Sequence, residues 1–281
     1  MTTVIKNIVI VGGGTAGRIT AGTLAAKLKQ KVNSGYTITL VESPNVPAIG
    51  VGEGTWPTMR NTLKNMGISE TDFIKQCNVS FKQGAKFAKW VTGKNDDFYY
   101  HPPVLPQGHD EIDLTPHWLA SKTNHSYAQA VCPQQAICEL GLAPKQITTP
   151  EYAAQANYAY HLDAKLFSEF LKNHCIAKLD VNHIIDDVTH INSTENGDIG
   201  SVATKSNGLI SGDLFIDCTG FNSLLLGQHF KVPFISCEDT LFIDQAIAVQ
   251  VPYEHEDSPI QSHTLSTAQS AGPDLGYRFT K

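Results

Sequence analysis

The stretch I-V-G-G-G-T-A-G, residues 10–17, sets Gly12, Gly14 and Gly17 in G-x-G-x-x-G spacing directly after the apolar run I-V-I-V of residues 8–11. Residues of this kind handle phosphate. The first glycine permits a tight turn, the second lets backbone N–H groups approach a pyrophosphate, and the third lets a helix pack closely on a strand. Thr15 and Ala16 open that helix, whose unpaired N–H groups and dipole favour an anion. Glu42, 25 residues beyond Gly17, closes the next apolar run and can accept hydrogen bonds from both hydroxyls of an adenosine ribose. A second candidate is N-V-P-A-I-G-V-G-E-G-T-W-P, residues 45–57. Here Gly50, Val51, Gly52, Glu53 and Thr55 suit a loop whose backbone lies against a ligand, although an ordinary surface turn has the same composition. By themselves, Lys82 reads as a solvated lysine and His101 as part of an aromatic, proline-rich loop.

These residues need a scaffold. The run I-V-I-V, the Ala/Leu-rich stretch through Leu28 and Y-T-I-T-L-V ending at Val41 predict strand, turn, helix and strand. Pro57 opens a helix toward Met66, and Ser69-Glu70 another toward Cys77. Phe81 to Trp90 has strand character, Asp96 to His109 reads as a loop, and residues 110–156 show too little periodicity for any assignment. Asp163 to Cys175 predicts an amphipathic helix with Leu166, Phe167, Phe170 and Leu171 on one face. Two hairpin-like runs follow, broken at Asn196-Gly197 and Asn207-Gly208, before a buried strand in D-L-F-I-D-C-T-G, Asp213 to Gly220. The fold class is therefore α/β, a Rossmann-type nucleotide-binding core of about residues 1–60 and 157–225. A substrate-side segment of about 70–156 is inserted, as in two-domain flavoproteins.

Composition narrows the function. The chain has 281 residues and a net charge of −6 without long like-charge runs, which argues against nucleic acid as a partner. No apolar run reaches the roughly 20 residues of a membrane span, and Met1 to Lys6 lead straight into a strand rather than a signal sequence. The sequence reads as that of a cytoplasmic protein. Its six cysteines form no C-x-x-C pair and its eleven histidines no H-E-x-x-H, so reduced thiols and no metal site are expected.

Six motifs in order add a family. V-G-G-G-T-A-G (Val11–Gly17), G-V-G-E-G-T (Gly50–Thr55), C-N-V-S-F-K (Cys77–Lys82), F-Y-Y-H (Phe98–His101), N-Y-A-Y-H-L-D-A (Asn157–Ala164) and F-I-D-C-T-G-F (Phe215–Phe221) resemble those of the flavin-dependent tryptophan halogenases, from about Ile5 to Gly272. The resemblance implies a fold of the flavin monooxygenase and halogenase class. It also implies an enzyme that uses reduced FAD and oxygen to oxidise chloride or bromide to hypohalous acid for delivery to an indole carbon. A separate flavin reductase is implied as a partner, and room is left for a homodimer. By the same resemblance Lys82 is the essential lysine, the 50–55 loop is a strap over the flavin, and His101 lines the indole pocket. Three departures stand out: Gly54 where the common form has alanine, Arg18 where an aromatic commonly follows the third glycine, and Pro103 in place of a stacking aromatic. Pro103 speaks against free tryptophan as the substrate, while Arg18, on the helix rather than against phosphate, should leave FAD binding intact. An aromatic hydroxylase of the same fold would not need Lys82, and a non-catalytic nucleotide-binding remnant is the third reading.

Family members run to about twice this length and carry a W-x-W-x-I signature just after S-A-G. Here S-A-G, residues 270–272, is followed by P-D-L-G-Y-R-F-T-K. Back-translated and read one base later, D-L-G-Y-R-F-T-K gives I-W-D-I-G-L-P. The expectation is a frameshift near Gly272-Pro273, leaving the fold incomplete at the C-terminus. Residues 273–281 would then be a tail without function, on a product that binds FAD poorly and does not halogenate.

Overall fold

The computed structural model describes residues 4–28, 35–46, 52–241, 243, 245–270 and 272–276. Two compact units divide the chain. One gathers Met1–Gly50, Asn65–Ile68 and Ala164–Ile247, the other Val51–Lys64, Ser69–Asp163 and Ala248–Lys281.

In the first unit a four-stranded parallel sheet runs in the order Leu214–Asp217, Asn7–Val11, Thr37–Glu42, Asn182–Ile185. Ile8, Val9, Ile10 and Val11 are all buried, as a parallel strand covered on both faces requires. The helix Thr15–Leu28, which buries Gly17, Arg18, Ala21, Gly22, Ala25 and Ala26, connects Asn7–Val11 to Thr37–Glu42. Small residues bring it close to the helix Ala164–Leu179: a Cβ at Gly22 would stand 3.1 Å from Cys175 Sγ. That second helix differs from the expected one. Its buried stripe is Ala164, Phe167, Ser168, Leu171 and Cys175, an i, i+3, i+4, i+7, i+11 row, whereas Leu166 is exposed one position off it. The two predicted hairpins form an antiparallel meander of Val188–Ser193, Ile199–Thr204 and Gly208–Ser211, with Gly197 and Gly208 at φ +90° and +71°. Its Val202 packs with Val9, Val11, Val41 and Leu225.

The second unit holds two sheets. One is antiparallel, in the order Glu53–Gly54, Ala159–Leu162, Ser80–Lys82. The other runs Gly272–Gly276, Thr264–Gln269, Ala85–Ala88, Phe98–His101, with only its central pair parallel. Phe98–His101 was expected as loop; four residues are too few to display alternation, and it is the ladder to Ala85–Ala88 that extends them. Gly272–Gly276, to which the sequence assigned no element, pairs antiparallel with Thr264–Gln269, since a ladder bonds backbone irrespective of side chains. The helices Thr58–Asn65 and Glu70–Gln76 form where Pro57 and Ser69 predicted, with Ser69 Oγ accepting the Asp72 N–H at 3.2 Å. The unassigned stretch contains three helices of five to seven residues, Thr115–Ser121, Tyr127–Val131 and Gln134–Glu139.

Behind the three-stranded sheet lies a buried ionic hub. Glu70 is 1% exposed; its Oε1 accepts the hydroxyls of Tyr158 and Tyr160, and its Oε2 accepts Lys145 Nζ at 2.7 Å and the Tyr152 N–H at 2.6 Å. Tyr160 stands opposite Phe81 and Lys82 opposite Ala159, so the hub anchors the strand against which the lysine is registered.

Among the described residues all six cysteines are free thiols, Cys77, Cys138 and Cys175 being buried. No helix among them is long and apolar enough to cross a membrane.

Candidate active site

In the first unit, the glycine turn shows why each glycine is there. Gly12 adopts φ +114° and donates its N–H to Val41 O at 2.9 Å; a Cβ there would run into the carbonyl of Cys218. A Cβ on Gly17 would collide with the carbonyl oxygen of Gly12, so the helix closes on the turn only because residue 17 has none. Gly13, which the motif leaves free, is equally constrained, since its Cβ would meet the Glu42 side chain. Gly14 is the exception: nothing lies within 4 Å of its missing Cβ. Gly12, Gly13 and Gly17 thus shape the turn and Gly14 leaves open space at the start of the Thr15–Leu28 helix, a geometry that fits a pyrophosphate.

Glu42 has protein partners on both oxygens. Oε1 accepts Arg18 Nη2 at 2.7 Å, and Oε2 pairs with His183 Nε2 at 2.7 Å. Arg18, one of the departures from the family pattern, is 3% exposed and also donates to Ser168 Oγ. It does sit on the helix, as expected, but as a buried clamp on the acid rather than a bystander. A carboxylate offers about four lone-pair sites, so Glu42 can still accept both ribose hydroxyls, now from a fixed orientation.

The 50–55 motif contributes differently from the expected loop. Gly50 and Val51 lie outside the described residues. From Glu53 the chain is a strand, with Glu53 opposite Leu162 and Gly54 opposite His161, and Gly52 leads into it. Thr55 is buried and holds Tyr160 from both sides: its N–H donates to Tyr160 O at 2.8 Å, and its Oγ1 accepts the Tyr160 N–H at 3.0 Å.

In the second unit Lys82 ends the strand Ser80–Lys82, half-buried, with Nζ 5.3 Å from the ring centroid of Trp56. Trp56 meets the His101 ring edge-on, with centroids 6.3 Å apart at 88°. The two sequence-predicted residues therefore share one intermediary. Sequence reading missed Trp56, although its signal was present: it directly follows the G-V-G-E-G-T motif. His161, fully buried, was missed as well. Its Nε2 lies 2.8 Å from Thr264 Oγ1, and burial together with the nearby Lys82 charge pulls its pKa down to about 3, so the imidazole is neutral. No carboxylate among the described residues stands within ion-pair distance of Lys82, and burial lowers its pKa. A cation so placed keeps its N–H groups for an incoming ligand, and once deprotonated it offers a lone pair to an electron-poor atom. In an NMR titration of ¹³C-methylated lysines, with Lys82→Arg for assignment, Lys82 should titrate below the surface lysines; co-titration with them would contradict this environment.

The parallel sheet with its glycine turn is the nucleotide-binding fold of the flavin-dependent halogenase class. The chain belongs to the tryptophan halogenase family, whose model matches residues 7–273. It is 35% identical to the tryptophan 6-halogenase ThaL of Streptomyces albogriseolus, over 95% of this chain and 52% of that protein. It is 33% identical to the tryptophan 7-halogenase RebH of Lentzea aerocolonigenes, over 95% and 52%. Among solved structures, the tryptophan halogenase of Shewanella frigidimarina is 51% identical with a TM-score of 0.89, covering 98% of this chain and 56% of that one. The family and fold class read from the six motifs are thus borne out. The chain spans about half the length of the curated relatives it matches.

Proposed function

We propose that this chain serves in flavin-dependent halogenation of an indole-type aromatic, with Lys82 as the residue that handles the halogen. The observation that carries the reading is the Lys82 ammonium itself: half-buried, without a carboxylate partner among the described residues, and set on the Trp56 ring beside His101. A buried lysine normally acquires an acid, as Lys145 does with Glu70; one left unpaired in an aromatic setting is suited to a reacting group. FAD would be held by the backbone of Gly12, Gly14, Thr15, Ala16 and Gly17 and by Glu42, with Gly50, Val51, Gly52, Glu53 and Thr55 as the strap. Reduced FAD, supplied by a separate reductase, would activate oxygen to oxidise chloride or bromide to hypohalous acid. Lys82 then holds the electrophilic halogen by hydrogen bonding or by capture on its amine, and His101 and Trp56 supply ring faces for an indole.

The glycine turn supplies a test that separates binding from folding. In Gly14→Val the new side chain starts in open space, so melting should stay within a few degrees while FAD affinity falls by about tenfold or more. Unaltered FAD affinity in that variant, by fluorescence titration, would remove this turn as the flavin site.

A further inference from the structure

Gly54 has no conformational reason to be glycine. Its φ is outside the left-handed region, and it pairs with His161 in a strand, where glycine is less stable than alanine. What the absent side chain does is leave room. A Cβ at Gly54 would stand 3.3 Å from Lys82 Nζ and 3.4 Å from His161 Cδ2. The surrounding walls are unequal: His161 is fully buried and bonded to Thr264 at 2.8 Å, and Trp56 lies under the amine at 5.3 Å, so the flexible lysine is what would have to move.

We propose that Gly54 is a specificity-determining residue, the gap it leaves beside Lys82 Nζ sizing the halogen that the amine accepts and admitting bromine as readily as chlorine. The inference rests on reading Lys82 as the halogen-handling residue. In the step concerned, the lone pair of the neutral amine attacks the halogen of hypohalous acid. The N–halogen bond forms as the halogen–oxygen bond breaks, and the departing hydroxide and the amine proton leave as water. The halogen carries the oxidising equivalent with it from oxygen to nitrogen, so no further oxidant is needed. The lowered pKa of Lys82 enlarges the neutral fraction available for it.

The test alkylates the accessible thiols of the purified chain, treats it with hypochlorous or hypobromous acid in slight excess over the remaining sulfur, and reads haloamine by oxidation of thionitrobenzoate, subtracting the Lys82→Arg signal. Gly54→Ala should lower the bromination-to-chlorination rate ratio at Lys82 by about threefold or more, because the added methyl would stand 3.3 Å from Nζ and fill the gap. A ratio equal to that of the unmodified chain, whether the two rates hold or fall together, would overturn the proposal. If Gly54→Ala fails to fold, Trp56→Ala decides: that side chain is 60% exposed, and removing it opens another wall of the gap. The ratio should then rise, and an unmoved ratio overturns the proposal. No flavin is present, so a chain that fails to halogenate with reduced FAD would defeat the functional reading without moving this ratio.

Discussion

Glu70→Ala should cost about 3–5 kcal/mol of stability, the scale of breaking a buried ion pair from one side. The variant leaves Lys145 Nζ without its carboxylate and strips the Tyr158 and Tyr160 hydroxyls and the Tyr152 N–H of their acceptor. At about 2–4 °C per kcal/mol for a chain of this size, thermal melting by circular dichroism should fall by roughly 10 °C. A melting temperature within 2 °C of the parent, on the order of a surface substitution, would show the hub to be dispensable. A paired Glu70→Leu, Lys145→Met replacement should recover part of the loss, since apolar side chains leave no buried charge unpaired. The effect also has a pH signature. Burial raises the Glu70 carboxyl, but Lys145, the two tyrosine hydroxyls and the Tyr152 N–H outweigh it and bring the folded pKa below the ordinary value. The contribution is therefore complete above the unfolded carboxylate range, about pH 4–5, and is lost as pH falls through the folded pKa. Glu70→Gln should accordingly flatten the acid limb of the stability profile.

Gly12→Ala should be the second large loss, about 2–5 kcal/mol, combining an alanine at positive φ with overpacking against backbone. Gly12 is at φ +114° and its Cβ would strike the Cys218 carbonyl, a main-chain atom of the strand end next to it, so no side-chain rotation relieves the clash. Chemical denaturation should show a lowered midpoint together with lost FAD binding. A stable Gly12→Ala chain would mean that the turn can relax. The contrast with Gly14→Val, expected to lose the ligand and keep the fold, is the most specific signature of the turn.

The nucleotide-binding half was legible because its signals are local: glycines at fixed spacing, an apolar run before them and an acid at the next strand end all lie within residues 8–42. Contacts across long separations were not. Glu70 could be read as a first-turn helix acid, but its partners Lys145, Tyr158 and Tyr160 lie 75, 88 and 90 residues away. Arg18 looked incidental for the same reason, its acid being 24 residues on and its serine 150. Residues 110–156 stayed unassigned because helices of five to seven residues span at most two turns, too few to show a period. Lys82 and His101 were located through the family resemblance alone. Their junction at Trp56, and the neutral His161 behind the lysine, became visible only when strands from three parts of the chain were registered side by side.

The most direct test of the central claim is the product formed by the protein carrying this chain, supplied with reduced FAD from a reductase, oxygen, bromide or chloride and a panel of indoles, read by mass spectrometry. The account predicts a halogenated indole that disappears below about one-hundredth of the parent rate in Lys82→Ala, the scale of losing a group that acts on the reacting atom. Halogenated product undiminished in Lys82→Ala, or an indole hydroxylated instead of halogenated, would contradict it.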